Sequence, residues 1–251
     1  MKTENAQVGA PLAVALLGML AALSTAPAFA AGAISTGSGV QVWNGHNCAA
    51  IVPVNIAALS AGLSGYENKI GWDPARFTSA GADISINIST YLTNGGTRQQ
   101  TGDGGTPALK LVSTGAVKYG AYSWGTGNPP GNQSLGQLAT ISIKPTATCG
   151  GAAVTMAETL LLDTSGIVIA LTSQTGGSVA VLGRFDTSAS GTLINSADVN
   201  AVVARLNQAT GGACGPNYRY DTSLAEPLIT SADVTAVVAN LNRNALAACV
   251  Q

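Results

Sequence analysis

Four aspartates carry the most suggestive chemistry in this chain. Asp186, Ser188, Ser190 and Thr192 place oxygen-bearing side chains at alternate positions of a loop that closes on Asp198. Further along, Asp221, Ser223 and Asp233 repeat the opening and the close of that pattern. A loop that opens on a carboxylate, offers oxygens at alternate positions and closes on a second carboxylate before a helix can encircle a hard cation such as calcium, which wants six to eight oxygens. Each loop supplies two carboxylates, so calcium binding is expected to be weak, with water or backbone carbonyls completing the shell. The same residues also have a metal-free use, with Asp186 and Asp221 making Asx turns while Asp198 and Asp233 cap helices.

Other chemistry is sparse. Asp73, Asp83, Glu158 and Asp163 qualify for the paired carboxylates of sugar hydrolysis by residue type alone, and none lies in a catalytic motif. His46, the single histidine, has no neighbouring nucleophile motif to serve. The expectation is a protein that is not an enzyme. Trp43, Tyr66, Trp72, Tyr119, Tyr122 and Trp124 could stack on pyranose rings where several are exposed together, which makes carbohydrate binding the alternative reading, although sparse aromatics more often fill a core. Cys48, Cys149, Cys214 and Cys249 stand far apart and read as two structural disulfides, with three connectivities open. Proximity along the chain favours Cys48 with Cys149 and Cys214 with Cys249.

The aspartate loops belong to a duplication. Arg184-Phe185-Asp186-Thr187-Ser188 returns as Arg219-Tyr220-Asp221-Thr222-Ser223, and Ser196-Ala197-Asp198-Val199 returns as Ser231-Ala232-Asp233-Val234. Ala201-Val202-Val203-Ala204 likewise returns as Ala236-Val237-Val238-Ala239. Each copy is a polar loop feeding a helix, because Asn195 or Thr230 stands three residues before Asp198 or Asp233 in a capping box. Val199, Val202, Val203 and Leu206 fall on one helical stripe, as do Val234, Val237, Val238 and Leu241, so the two helices are expected to pack stripe against stripe.

Upstream, from Val40 to Val181, short runs rich in Val, Ile, Leu and Thr are broken by Gly, Asn, Asp and Pro, as in an antiparallel β-sandwich. Strands are expected at Ala50 to Ala57, Glu67 to Trp72, Asp83 to Ile88, Val117 to Trp124, Leu138 to Ile143, Val154 to Leu161, Ile167 to Leu171 and Ser178 to Leu182. In Leu138 to Ile143 the face of Ala139, Ile141 and Ile143 is the more apolar. Stretches near 94–105 and 125–136 read as surface loops.

Composition narrows the class. Charged residues make up 9% of the 251 where about 25% is usual, and glycine reaches 31, a profile of turn-rich extracellular β proteins. A formal net charge of -1 without a basic run gives no positive field for nucleic acid. The first 30 residues carry Lys2, an apolar stretch from about Leu12 to Leu23, and Ala28-Phe29-Ala30, the marks of a signal peptide. The apolar run is short of the roughly 20 residues that span a bilayer, so no membrane span is expected in the mature chain, which is expected to be secreted, extracellular or at the cell surface.

Paired Asp-rich loops, each followed by a single helix, resemble a dockerin over residues 183–251. That family has Asp or Asn at the first, third and fifth loop positions, Gly at the sixth and Asp at the twelfth. Asp186, Ser188, Ser190, Gly191 and Asp198 stand in for them here, with one extra residue before Asp198. In the second loop Ala225 and Glu226-Pro227 depart from the pattern. The resemblance implies partner recognition just before the closing aspartate, at Ser196, Ala197, Ser231 and Ala232. Residues 31–182 resemble a cohesin, through Val52-Pro53-Val54-Asn55-Ile56, Ile70-Gly71-Trp72-Asp73-Pro74 and Gly136-Gln137-Leu138-Ala139-Thr140-Ile141. A cohesin grips dockerin helices with one flat sheet face, burying an apolar centre inside a polar rim. Together the resemblances imply a mainly β chain, a jelly-roll-like sandwich followed by a small α domain of two EF-hand-like loop-helix repeats. Its partners would be cohesin- or dockerin-bearing proteins, including a second copy joined head to tail as a filament, and its role that of an assembly module.

Overall fold

The computed structural model describes residues 31–57, 59, 61–93, 99–100, 107–124, 134–189, 192–212, 214–224, 227–245 and 249. Residues 1–30, where a signal peptide is expected, and Ser190 lie outside the described residues, as does most of both glycine-rich loop stretches.

Two open sheets face each other. One has five strands in the order β11 (Ala170–Thr175), β1 (Ala31–Thr36), β3 (Ala50–Ile56), β9 (Gly136–Ile143) and β5 (Ile84–Ile88). The other has seven. It runs from β2 (Val40–Trp43) through β12 (Gly177–Leu182), β10 (Gly150–Asp163) and β4 (Leu63–Gly71) to β8 (Ala116–Trp124), which pairs at its far edge with both β6 (Gln99–Gln100) and β7 (Leu109–Ser113).

Pairing is antiparallel except at two places, where β1 runs parallel to β11 and β2 parallel to β12. These depart from an all-antiparallel sandwich for a topological reason: β1 and β2 open one sheet each, and the last strands of the sandwich return alongside them. The return is tight at Gly177, where an added Cβ would strike the Gly37 carbonyl.

Alternation buries one side of each strand in the gap between the sheets. Val52, Val54, Ile70, Tyr119, Ile141 and Ile143 are among the residues fully enclosed there. In β9 the inward face is Ala139, Ile141 and Ile143, and Leu138 is enclosed as well. The register against β3 shifts between Val54 and Asn55, an irregularity beside Leu138 that breaks the simple two-residue period. The strand expected at Ile167 to Leu171 instead starts at Ala170, because Asp163 Oδ1 accepts the N–H groups of Ser165 and Ile167 and makes a turn there.

Among its described residues the tail has two eight-residue helices, α1 (Ser196–Val203) and α2 (Ser231–Val238), each opened by a capping box. Its own core consists of Phe185, Ile194, Val202, Tyr220, Ile229, Val237 and Ala245. The expected helical stripe is therefore corrected: Val202 and Val237 are buried, whereas Val203, Leu206, Val238 and Leu241 are exposed. The helices end at Val203 and Val238, before Leu206 and Leu241 can join the stripe. Phe185 with Ile194, and Tyr220 with Ile229, close the core from the loops.

The repeats lock crosswise. Ile194 N–H donates to Arg243 O and Asn242 N–H to Ile194 O, while Ile229 N–H donates to Gln208 O and Asn207 N–H to Ile229 O. Asn207 and Asn242 hold equivalent left-handed positions, φ 61° and 63°, which asparagine tolerates better than most residues.

The disulfides join Cys48 to Cys214 and Cys149 to Cys249, so each bridges sandwich and tail. This corrects the pairing expected from proximity along the chain. The tail folds back onto the sandwich, bringing each pair to a Cα–Cα distance of 5.5 Å, which suits a disulfide.

Candidate functional site

Three regions bear on function: the outer face of the seven-stranded sheet, the tail loops, and the joint between tail and sandwich.

On the sheet face, register sets the neighbours. Lys69 of β4 lies between Ala157 of β10 and Lys118 of β8, and Lys118 lies beside Leu111 of β7. In the next row Glu67 lies between Leu160 and Gly120, with Leu109 beyond. Gly65 follows, between Leu162 and Tyr122. Leu111, Leu160, Tyr122 and Trp124 are all exposed, and the rings of Tyr122 and Trp124 lie 5.6 Å apart at 46°. Small residues leave hollows in this face. One of about 330 Å³ is lined by Gly65, Glu67, Gly120, Tyr122, Leu160 and Leu162, and one of about 450 Å³ by Lys69, Gly71, Gly115, Ala153 and Thr155 among others.

A charge quartet sits in the middle. Lys69 Nζ lies 2.7 Å from Glu158 Oε1, Lys118 Nζ 2.7 Å from Glu67 Oε1 and 3.5 Å from Glu158 Oε2. The hydrogen bond to Glu67 is the main cause holding Lys118 above its ordinary pKa, and the hydrogen bond from Lys69 is the main cause holding Glu158 below its own. Glu158 reaches this position through a β-bulge between Ala157 and Leu160, at φ 48°, a left-handed conformation costly for a residue with a Cβ.

In the tail loops, Asp198 Oδ1 accepts Ser188 N–H at 2.9 Å and Ser188 Oγ at 2.7 Å, and Oδ2 accepts Asn195 N–H at 2.9 Å. Asp233 Oδ1 accepts Ser223 N–H and its Oδ2 accepts Thr230 N–H, both at 2.8 Å. Thr187 and Thr222 hydroxyls donate to the Asp198 and Asp233 carbonyls. Both closing carboxylates thus tie loop to helix. Asp186 is buried beside Asp198, and burial, followed by that neighbouring carboxylate, pushes it up to about 6. Thr192 is exposed, with its carbonyl taken by Ala245 N–H.

These loops partly fit a calcium ion. Asp186, Asp198 and Asp233 are buried with no Lys or Arg in salt-bridge range among the described residues, so the Asp186–Asp198 repulsion is one that a cation would relieve. Among the described residues, Ser223 Oγ is buried without a hydrogen-bond partner. On the other side, Asp198 and Asp233 already accept N–H groups, and no three His, Cys, Asp or Glu side chains converge among the described residues. Ser196, Ala197, Ser231 and Ala232 are all exposed.

The joint was not legible in sequence. Trp43 Nε1 donates to Asp186 O at 2.7 Å, and Trp43 N–H to Tyr218 Oη at 3.3 Å. Asn44 Nδ2 donates to Cys249 O, His46 stacks edge-on against Tyr218, and Arg219 lies over the rings of Trp43 and Tyr220. His46 is held down to about 4, by burial first and then by the Arg184 guanidinium.

The remaining candidates divide cleanly. Trp43, Tyr66, Trp72 and Tyr119 are buried, leaving Tyr122 and Trp124 exposed. Asp73 pairs with Arg76 and Asp83 with Lys144, while Asp163 makes the turn described above. No helix among the described residues is long and apolar enough to cross a membrane.

Among solved structures, similarity is found to a non-cellulosomal cohesin from the archaeon Archaeoglobus fulgidus, at 15% identity and TM-score 0.42, covering 63% of this chain and 96% of that one. Similarity also extends to a type I cohesin–dockerin complex from Clostridium thermocellum, at 10% identity and TM-score 0.40, over 61% and 93% of the two chains. A cohesin module from a Clostridium perfringens family 33 glycoside hydrolase matches at 13% identity and TM-score 0.40, over 60% and 94%. No family model matches the sequence, and no curated protein matches it.

Proposed function

We propose that this chain is an exported, non-catalytic assembly module whose seven-stranded sheet grips the helices of a dockerin-like partner. The observation that carries this reading is the outer face just described, where exposed Leu111 and Leu160 lie on either side of a self-neutralised charge quartet and exposed Tyr122 and Trp124 lie toward one end of it. Soluble monomers rarely leave apolar side chains clustered in this way without a partner. The hollows floored by Gly65, Gly71 and Gly120 leave room for side chains of an incoming helix.

In this reading the tail loops are stabilising elements that take calcium weakly, through Asp186, Ser188 and Asp198 in the first loop and Asp221, Ser223 and Asp233 in the second. A bound ion would neutralise the carboxylates and stiffen each loop against its helix. Ser196, Ala197, Ser231 and Ala232 form the surface through which the tail meets a cohesin-like sheet.

Calorimetry of the intact disulfide-bonded chain against a panel of dockerin modules tests the reading. Binding to at least one module, weakened at least tenfold by Leu160→Arg, is expected. A panel without any binder, for a chain that also shows no association of its own through this face, would overturn it. The exposed Tyr122–Trp124 pair favours a second reading, carbohydrate binding at this face, and glycan-array binding lost in Trp124→Ala would put that reading first.

A further inference from the structure

We propose that the partner of the sheet face is the tail of a second copy of this chain, so that copies join head to tail. The inference rests on the sheet face being a protein-binding surface and adds its occupant.

Charge selects that occupant. A chain with only 9% charged residues gathers Lys69, Lys118, Glu67 and Glu158 in one patch, and there they cancel. A charged group from a partner would lose water at this patch and find no unpaired counter-ion, whereas a neutral surface leaves the pairs intact. The face therefore suits a partner built of alkyl, hydroxyl and amide side chains.

The tail presents such a surface. Ser196, Ala197, Asn200 and Val203 of α1 are all exposed, and so are their repeat equivalents Ser231, Ala232, Thr235 and Val238 of α2. Spacings of four and three residues put each set on one side of its helix. None of these eight is charged, and exposed Leu193, Leu206, Leu228 and Leu241 add apolar area nearby, the exposed Arg205 and Arg243 lying past the helix ends. The chain's own sandwich does not cover these helix sides, because the tail meets it through Trp43, Asn44, His46, Tyr218 and the two disulfides.

A sheet face meeting a helix pair is a heterologous contact, and each copy has one of each surface, so association does not close at a dimer. The disulfides fix tail to head within a copy. Successive copies are then related by one constant rotation and translation, giving a regular filament or a ring.

The test uses intact chains starting at Ala31 with both disulfides formed. Wild type is expected to show sedimentation that rises with concentration and changes little with added salt. Ser196→Arg combined with Ser231→Arg blocks the tail, and Leu160→Arg blocks the face; all three substitutions are at exposed positions, and thermal melts check folding. Each variant alone is expected to remain monomeric. Their equimolar mixture is expected to form a dimer and stop there, since one chain contributes only a face and the other only a tail. The proposal is overturned by a monomeric wild type, by association surviving either block, or by a mixture that fails to pair. A monomeric wild type that still binds a dockerin module overturns only the occupant, and one that binds none overturns the reading of the face as well.

Discussion

The indole N–H of Trp43, at the end of a sandwich strand, donates at 2.7 Å to the backbone carbonyl of Asp186, the first residue of the first tail loop. The contact is buried, so loss of the donor leaves the carbonyl unsatisfied. Trp43→Phe, which keeps a ring beneath Arg219, is expected to cost about 1–2 kcal/mol in denaturant unfolding. An unchanged midpoint would show that the joint does not depend on this bond.

Non-reducing peptide mapping is expected to recover Cys48 linked to Cys214 and Cys149 linked to Cys249. Each closes a long stretch of chain, and the paired substitution Cys149→Ser with Cys249→Ser is expected to cost about 4 kcal/mol. Recovery of a Cys48–Cys149 peptide would sink the fold-back of the tail.

Acid should weaken the joint through His46. Its folded pKa of about 4 lies below its ordinary 6.5, so between those values the unfolded chain holds a proton that the folded chain does not. Stability attributable to this group is complete above about pH 6.5, falls as pH drops toward 4, and levels off below, a change on the order of 3 kcal/mol. Arg184, Asp233 and Tyr218 are the charged and titratable groups around it, and of the charged pair only Asp233 favours protonation. Urea melts across this range should show the slope in wild type and a flatter one in His46→Gln.

Calcium is expected to raise the melting temperature, by about 1.4 kcal/mol of added stability at ten times its Kd. Asp186→Asn should remove the first loop's share of that response, and Asp221→Asn the second's. In chelator at neutral pH Asp186→Asn should be more stable than wild type, because it removes a charge buried beside Asp198. Equal stability in chelator would show that Asp186 carries no such penalty.

Local order was legible in the sequence to the extent that local rules determine it. The capping boxes at Asn195–Asp198 and Thr230–Asp233 follow from hydrogen bonding within four residues, and most strands of the sandwich from alternation. Strand β7 escaped notice because Leu109–Ser113 is an edge whose five residues lack a fully buried side. The helical stripe was overdrawn, since Leu206 and Leu241 lie past the helix ends and the loop residues Ile194 and Ile229 take the core instead. Long-range pairing was the least accessible. Nothing near Cys48 marks Cys214 as its partner, because the joint is made by Trp43, His46, Tyr218 and Arg219, each unremarkable in its own segment. The charge quartet was equally hidden, as Glu158 reaches the lysines only through a bulge that adds a residue to β10.

The crossed disulfides also change what a protease can achieve. A cut in the connection around Gly183 would sever the backbone between sandwich and tail, yet both fragments would stay bound through Cys48–Cys214 and Cys149–Cys249. Such a nicked particle would migrate as one species until a reductant was added, retaining its shape where a hinged pair of modules would fall apart.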